Sequence, residues 1–155
     1  MNSNVDTSKL TPGSKIAGED AEDTALLVAM REDAAGYLKS FEWCTGVTEA
    51  WFGCGVGGVV AVFLFEITSD SDDADSTLWV VVGDLPPAYL VTDDAPTPTE
   101  ALRCYVSEMR QWVNAVRESE PLDDVIPVNV APTPENADKL DTRLSFLERE
   151  FLLHQ

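Results

Sequence analysis

Two changes of hydrophobic period along the chain predict an α+β fold. Apolar residues recur at helical spacing from Leu26 to Phe41. Four β-type runs joined by short connections follow between Val47 and Val91, and two stretches beyond Pro98 return to helical spacing. The expected architecture is an N-terminal helix, an antiparallel meander of about four strands, and two C-terminal helices packed on the sheet. At 155 residues a single domain over 19–155 is expected, with 1–18 as a flexible tail rich in Ser, Asn, Thr, Lys and Gly. A chain of this size buries roughly 70% of the surface it exposes when unfolded, and a 45% hydrophobic fraction supplies the core.

The first helix should begin near Asp20, where Glu19, Asp20, Glu22 and Asp23 meet the positive end of the dipole. Leu26, Met30, Ala34, Tyr37, Leu38 and Phe41 share one face, and Gly36 weakens the helix without ending it. Val47–Phe52, Val59–Phe65 and Leu78–Val82 read as strands. The last two are apolar on both faces, which belongs to strands covered on both sides. Tyr89–Val91 makes a fourth, short strand, and Pro86-Pro87 before it suits an edge or a bend. Thr97, Pro98 and Glu100 then supply an N-cap, a proline at the first helical position and a capping-box acid. Leu102, Tyr105, Val106, Met109, Trp112, Val113 and Val116 form an apolar stripe behind them. Ala131-Pro-Thr-Pro-Glu135 repeats the starting device for a helix carrying Ala137, Leu140, Leu144, Leu147 and Phe151. Val125–Val130, between the two helices, reads as an extended segment on the sheet edge.

Charge is distributed unevenly over these elements. Residues 40–102 contain no Lys, Arg or His, yet carry eleven acids, more than half of the formal charge of −18. A field of that sign repels nucleic acid and anionic lipid and attracts basic proteins or cations. Cys44, Cys54 and Cys104 lie in apolar runs, are odd in number and form no CxxC, so they read as buried thiols in a reducing, cytoplasmic setting. The single histidine, His154, leaves no zinc ligand set and no histidine base. No cofactor or metal is expected. The apolar run from Gly53 to Phe65 is too short to span a bilayer as a helix, and the N-terminus lacks the apolar block of a signal peptide.

Several motifs are weighed against plainer readings. Gly53-Cys-Gly-Val-Gly-Gly58 matches GxGxxG, but it opens a strand rather than a helix, so a glycine turn or bulge is expected. Asp70-Ser-Asp-Asp-Ala-Asp75 lacks the glycine and the bidentate glutamate of a calcium loop and reads as an acidic hairpin loop. A hairpin centred near Asp72 puts Glu66 near Leu78 and Asp84 near Val60. Glu66 and Asp84 are then roughly 20 Å apart, too far for a pair of glycosidase carboxylates at about 6.5–9.5 Å. Asp84 falls beside the glycine turn, where it is expected to accept N–H bonds from Gly57 or Gly58. Arg103, Arg110 and Arg117 form a stripe on the second helix, read as a solvated face balancing the field of the sheet, or else as a docking strip. Trp79 and Trp112 read as core, whereas Trp43 and Trp51 are candidates to line a groove.

The segment from Leu78 to Leu102, LWVVVGDLPPAYLVTDDAPTPTEAL, resembles the central signature of a family of small, uncharacterised bacterial proteins. The glycine run before Val59 and the stretch from Ile126 to Glu135 are similar too, and the likeness covers roughly Tyr37 to Leu153. It implies a bacterial, cytoplasmic, single-domain protein, and it brings no activity and no site residue with it.

On these grounds the chain reads as a non-enzymatic acidic binding module for a basic protein partner, with an immunity or inhibitor protein as one form of that class. Asp70, Asp72, Asp73, Asp75, Trp43 and Trp51 are its candidate contact residues, and homo-oligomer formation is left open. The alternative is a small-ligand binder or enzyme with a site near Asp84, Tyr89, Asp93 and Asp94. A third reading makes the acidity a solubility or salt adaptation without a partner.

Overall fold

Asp20 caps the first helix, α1 (Ala21–Lys39), its carboxylate accepting the N–H of Asp23. The computed structural model describes residues 5–69, 77–93, 95–128 and 130–152. Leu27, Met30, Ala34 and Leu38 form the buried face of α1. Leu26, expected on that face, is instead 43% exposed. The buried set follows Leu27 because the i, i+3, i+7, i+11 series is continuous from that residue.

The sheet has five strands in the order β1 (Thr11–Pro12), β2 (Cys44–Val56), β3 (Val60–Ser69), β4 (Thr77–Gly83) and β5 (Ala88–Val91), all antiparallel. The fold is thus α+β, with one more strand than expected. The addition comes from residues read as tail: Thr11 and Pro12 pair with Phe52 and Trp51, while Val5 and Ile16 are buried. A two-residue strand ending in proline leaves little periodic signal. The β3–β4 register also differs by one position. Glu66 faces Thr77, and Val60 faces Gly83.

β3 and β4 are buried on both faces, as their unbroken apolar runs require. Ala61, Phe63, Phe65, Leu78 and Val80 pack with α1. Val60, Val62, Leu64, Trp79 and Val81 pack with α2 (Pro98–Arg117) and α3 (Pro134–Leu147). Thr97 caps α2 and Thr133 caps α3, each followed by its proline. All seven residues of the α2 stripe are buried. The polar ends of two core aromatics are satisfied by loop carbonyls: Trp79 Nε1 donates to Ala95 O at 2.7 Å, and Tyr105 Oη donates to Pro86 O. These bonds fix the segments on either side of β5. Among the described residues, no helix is long and apolar enough to cross a membrane.

Candidate functional site

The glycine-rich segment ends β2 and enters the β2–β3 turn at Gly57, where Gly58 adopts φ +78°, a left-handed conformation that favours glycine. The turn is tied down, but not by Asp84. Gly57 N–H donates to Asp23 Oδ1 at 2.7 Å, and Gly58 N–H meets Met30 Sδ at 3.4 Å. Asp84 is exposed, with both its carboxylate oxygens 3.3–3.4 Å from Arg143 on α3. Only its backbone approaches the turn, through a 3.0 Å bond to Val59 O. The helix α1 reaches the turn from the face of the sheet, whereas the Asp84 side chain is drawn away to α3.

Asp84 borders three shallow clefts at this end of the molecule, of about 520, 310 and 460 Å³. Tyr89 borders none of these and lines another groove. Among the described residues, Asp84 and Tyr89 thus border different cavities, and Asp94, grouped with them and Asp93, lies outside the described residues. Asp70, Asp72, Asp73 and Asp75 lie outside them as well. Trp43 and Trp51 do not share a groove. Trp51 packs toward the α2 side and borders a depression with Pro12 and Arg31. Trp43 stacks on Phe41 at 5.2 Å and meets Tyr89 edge-on at 5.3 Å.

The Tyr89 groove is the most coherent acidic feature. It runs along β5, encloses about 380 Å³, and is walled by Tyr37 from α1, Glu108 from α2 and residues 123–127. Pro86-Pro87 delivers the chain to Ala88, whose burial seats the strand, and Tyr89 is held among Tyr37, Phe41 and Trp43. Glu108, Asp123 and Asp124 bring three carboxylates to the groove, and among the described residues no Lys, Arg or His lines it. The ion pairs of all six arginines go elsewhere. Arg110 engages Asp141 and Glu148, Arg117 engages Asp138 and Asp141, and Arg31, Arg103, Arg143 and Arg149 pair with Glu32, Glu100, Asp84 and Glu150. Within the arginine stripe, Arg103 pairs with Glu100 on its own helix, whereas Arg110 and Arg117 reach across to α3 and the segment after it. Two of the stripe's three members thus bind α3 to α2.

Burial pushes the Tyr37 phenol up to about 12, assisted by Tyr89 beside it, with a backbone hydrogen bond from Tyr89 acting in the opposite sense. Burial likewise pushes the Cys54 thiol up to about 11, leaving it protonated and unreactive at neutral pH. Among the described residues, no three His, Cys, Asp or Glu side chains come together to hold a metal ion, the groove acids included. The groove's chemistry is thus electrostatic and aromatic, suited to cationic groups on a partner. No family model, curated protein or solved structure matches the chain.

The sequence reading missed Tyr37, Glu108, Asp123 and Asp124 as site residues. A signal was present. Val125–Val130 was expected on the sheet edge and Tyr89–Val91 as the fourth strand, after a double proline suited to an edge or a bend, and together these put Asp123 and Asp124 beside β5.

Proposed function

We propose that this protein is a non-enzymatic binding module that recognises a basic protein partner through the groove along β5. The observation that carries the reading is the groove's composition: three carboxylates beside two tyrosines, with no cation among the described residues of its lining. Such a surface attracts Lys and Arg at long range and holds them at short range by ion pairing and by the faces of the phenol rings. The excess of acids over residues 40–102 extends the attracting field beyond the groove. A cytoplasmic immunity- or inhibitor-type protein is the form of this class that fits the size and charge best, as an analogy of composition. The resemblance of the Leu78–Leu102 segment to a family of small bacterial proteins belongs to the same reading.

Affinity capture from native lysate tests it, run in parallel with the Glu108→Lys/Asp123→Lys/Asp124→Lys variant. The expected result is a basic protein retained by the native chain and lost by the variant, with unchanged circular dichroism. Equal retention by the variant, or an acidic captured protein, overturns the proposal.

A further inference from the structure

The two edges of the sheet are treated differently. On the β2 side, the edge is interrupted by register shifts at Cys44/Gly46, Val47/Glu49 and Phe52/Cys54, and Pro12 of β1 lies across Trp51. Bulges and proline are standard means of preventing an edge from pairing with another chain. At the other edge, β5 has neither. Ala88-Tyr-Leu-Val91 contains no charge and no proline, and its four residues pair with β4 in unbroken register. Residues 123–127 wall the groove beside it. Among the described residues, no backbone hydrogen bond joins them to β5.

We infer that the β5 edge accepts an extended, Lys/Arg-bearing segment of the partner as an added strand. This rests on the basic-partner reading and adds its geometry. Alternate residues of an edge strand turn their backbone groups outward. Tyr89 and Val91 form one alternation of β5 and Ala88 and Leu90 the other, with Val91 42% exposed at the strand's end. Ala88 and Leu90 belong to the α2 side of the sheet, and Tyr89 belongs to the α1 side. A strand laid beside β5 therefore points alternate side chains toward Glu108 on α2 and toward the tyrosines on the α1 side. Both positions favour cations, one by carboxylate and one by aromatic faces. Main-chain bonds supply affinity and the alternating side chains supply selection, as in other strand-addition complexes.

The probe is the peptide acetyl-Lys-Val-Lys-Val-Lys-Val-amide, compared with a twin N-methylated at its valines. The twin keeps every charge and loses alternate main-chain donors. NMR titration of the full chain should give cross-strand contacts between the first peptide and Tyr89–Val91. The twin should bind about tenfold more weakly. Equal binding of both peptides overturns strand addition while leaving charge-driven recognition intact. Contacts elsewhere on the surface, or no binding by either peptide, also overturn it. In those cases the lysate capture experiment judges the basic-partner reading separately.

Discussion

Asp23 accepts the backbone N–H of Gly57 at 2.7 Å, across 34 positions of sequence. Its other oxygen takes the N–H of Glu19 at 2.8 Å, so one carboxylate joins the start of α1 to the β2–β3 turn. Gly57 has no room for a side chain there. A Cβ would stand 2.7 Å from Asp23 Oδ1 and from Leu26 Cβ. The helix therefore meets the turn through a glycine and a charge rather than through apolar packing alone.

Asp23→Asn should destabilise the fold by about 1–3 kcal/mol. An amide can keep one acceptor toward Gly57, but then faces the Glu19 N–H with a second donor. Asp84→Asn removes only an exposed ion pair and should cost at most about 1 kcal/mol. Denaturant unfolding of the two variants decides the ranking. A larger loss at Asp84 would return the anchoring role to that residue.

Added salt should raise the melting temperature. Eleven acids occupy residues 40–102 without a local cation, and at 1 M salt the Debye length of about 3 Å removes most of their mutual repulsion. Arg143 and Arg103 relieve Asp84 and Glu100, but they are exposed pairs of small weight. A melting temperature that is unchanged or lower in 1 M sodium chloride would show that pairing within the fold already balances the acids.

Stability should fall on the alkaline side. Burial raises the Cys54 thiol from an ordinary 9.0 to about 11 and the Tyr37 phenol from 10.0 to about 12, and it raises Tyr105 further in the same direction. A raised pKa in the folded chain means that the neutral form is favoured there. The contribution is complete below the unfolded value and is lost as pH rises through the folded one. The loss should run from pH 9 to about 11 for Cys54 and from pH 10 to about 12 for Tyr37. Unfolding free energy measured against pH should show this slope, and Cys54→Ala should flatten its lower part. A slope identical in the variant would assign the whole effect to the tyrosines.

Arg110 links α2 to three residues of the C-terminal segment: Asp141 at 3.3 Å, Ser145 at 3.0 Å and Glu148 at 2.6 Å. A double-mutant cycle between Arg110→Ala and Glu148→Ala should return a coupling of about 0.5–1 kcal/mol, diminishing as salt is added. Zero coupling in dilute buffer would show that the apolar contact between α2 and α3 holds them without help.

Most of the fold was legible because strong periodic signals coincide with burial. The Thr97-Pro98 and Thr133-Pro134 caps place two helix starts to the residue. The unbroken runs of β3 and β4 announce strands covered on both faces. What escaped was decided by long-range geometry. β1 is too short for a period, and the choice of Asp23 over Asp84 depends on which element reaches the turn first. The arginine stripe was visible as a stripe, but its partners lie on a helix whose orientation no local pattern reports. The groove acids were obscured for the same reason, since Glu108 and Asp123 meet only after α2 has docked.

Two acidic segments can be told apart by mutation. Asp70, Asp72, Asp73 and Asp75 share a connection between two strong strands, so changing all four to Lys should alter the distant field without disturbing the core. Glu108, Asp123 and Asp124 border the groove itself. Charges at a rim act chiefly on association rate, whereas charges at the contact act on dissociation. With a captured basic partner, the loop variant should therefore slow association and weaken its salt dependence while leaving dissociation nearly unchanged. The groove variant should speed dissociation. Arg103→Glu, on the exposed side of α2, serves as the control and should change neither rate by more than about twofold. If the loop variant speeds dissociation and the groove variant does not, the contact lies at the loop and the β5 groove is not the binding surface.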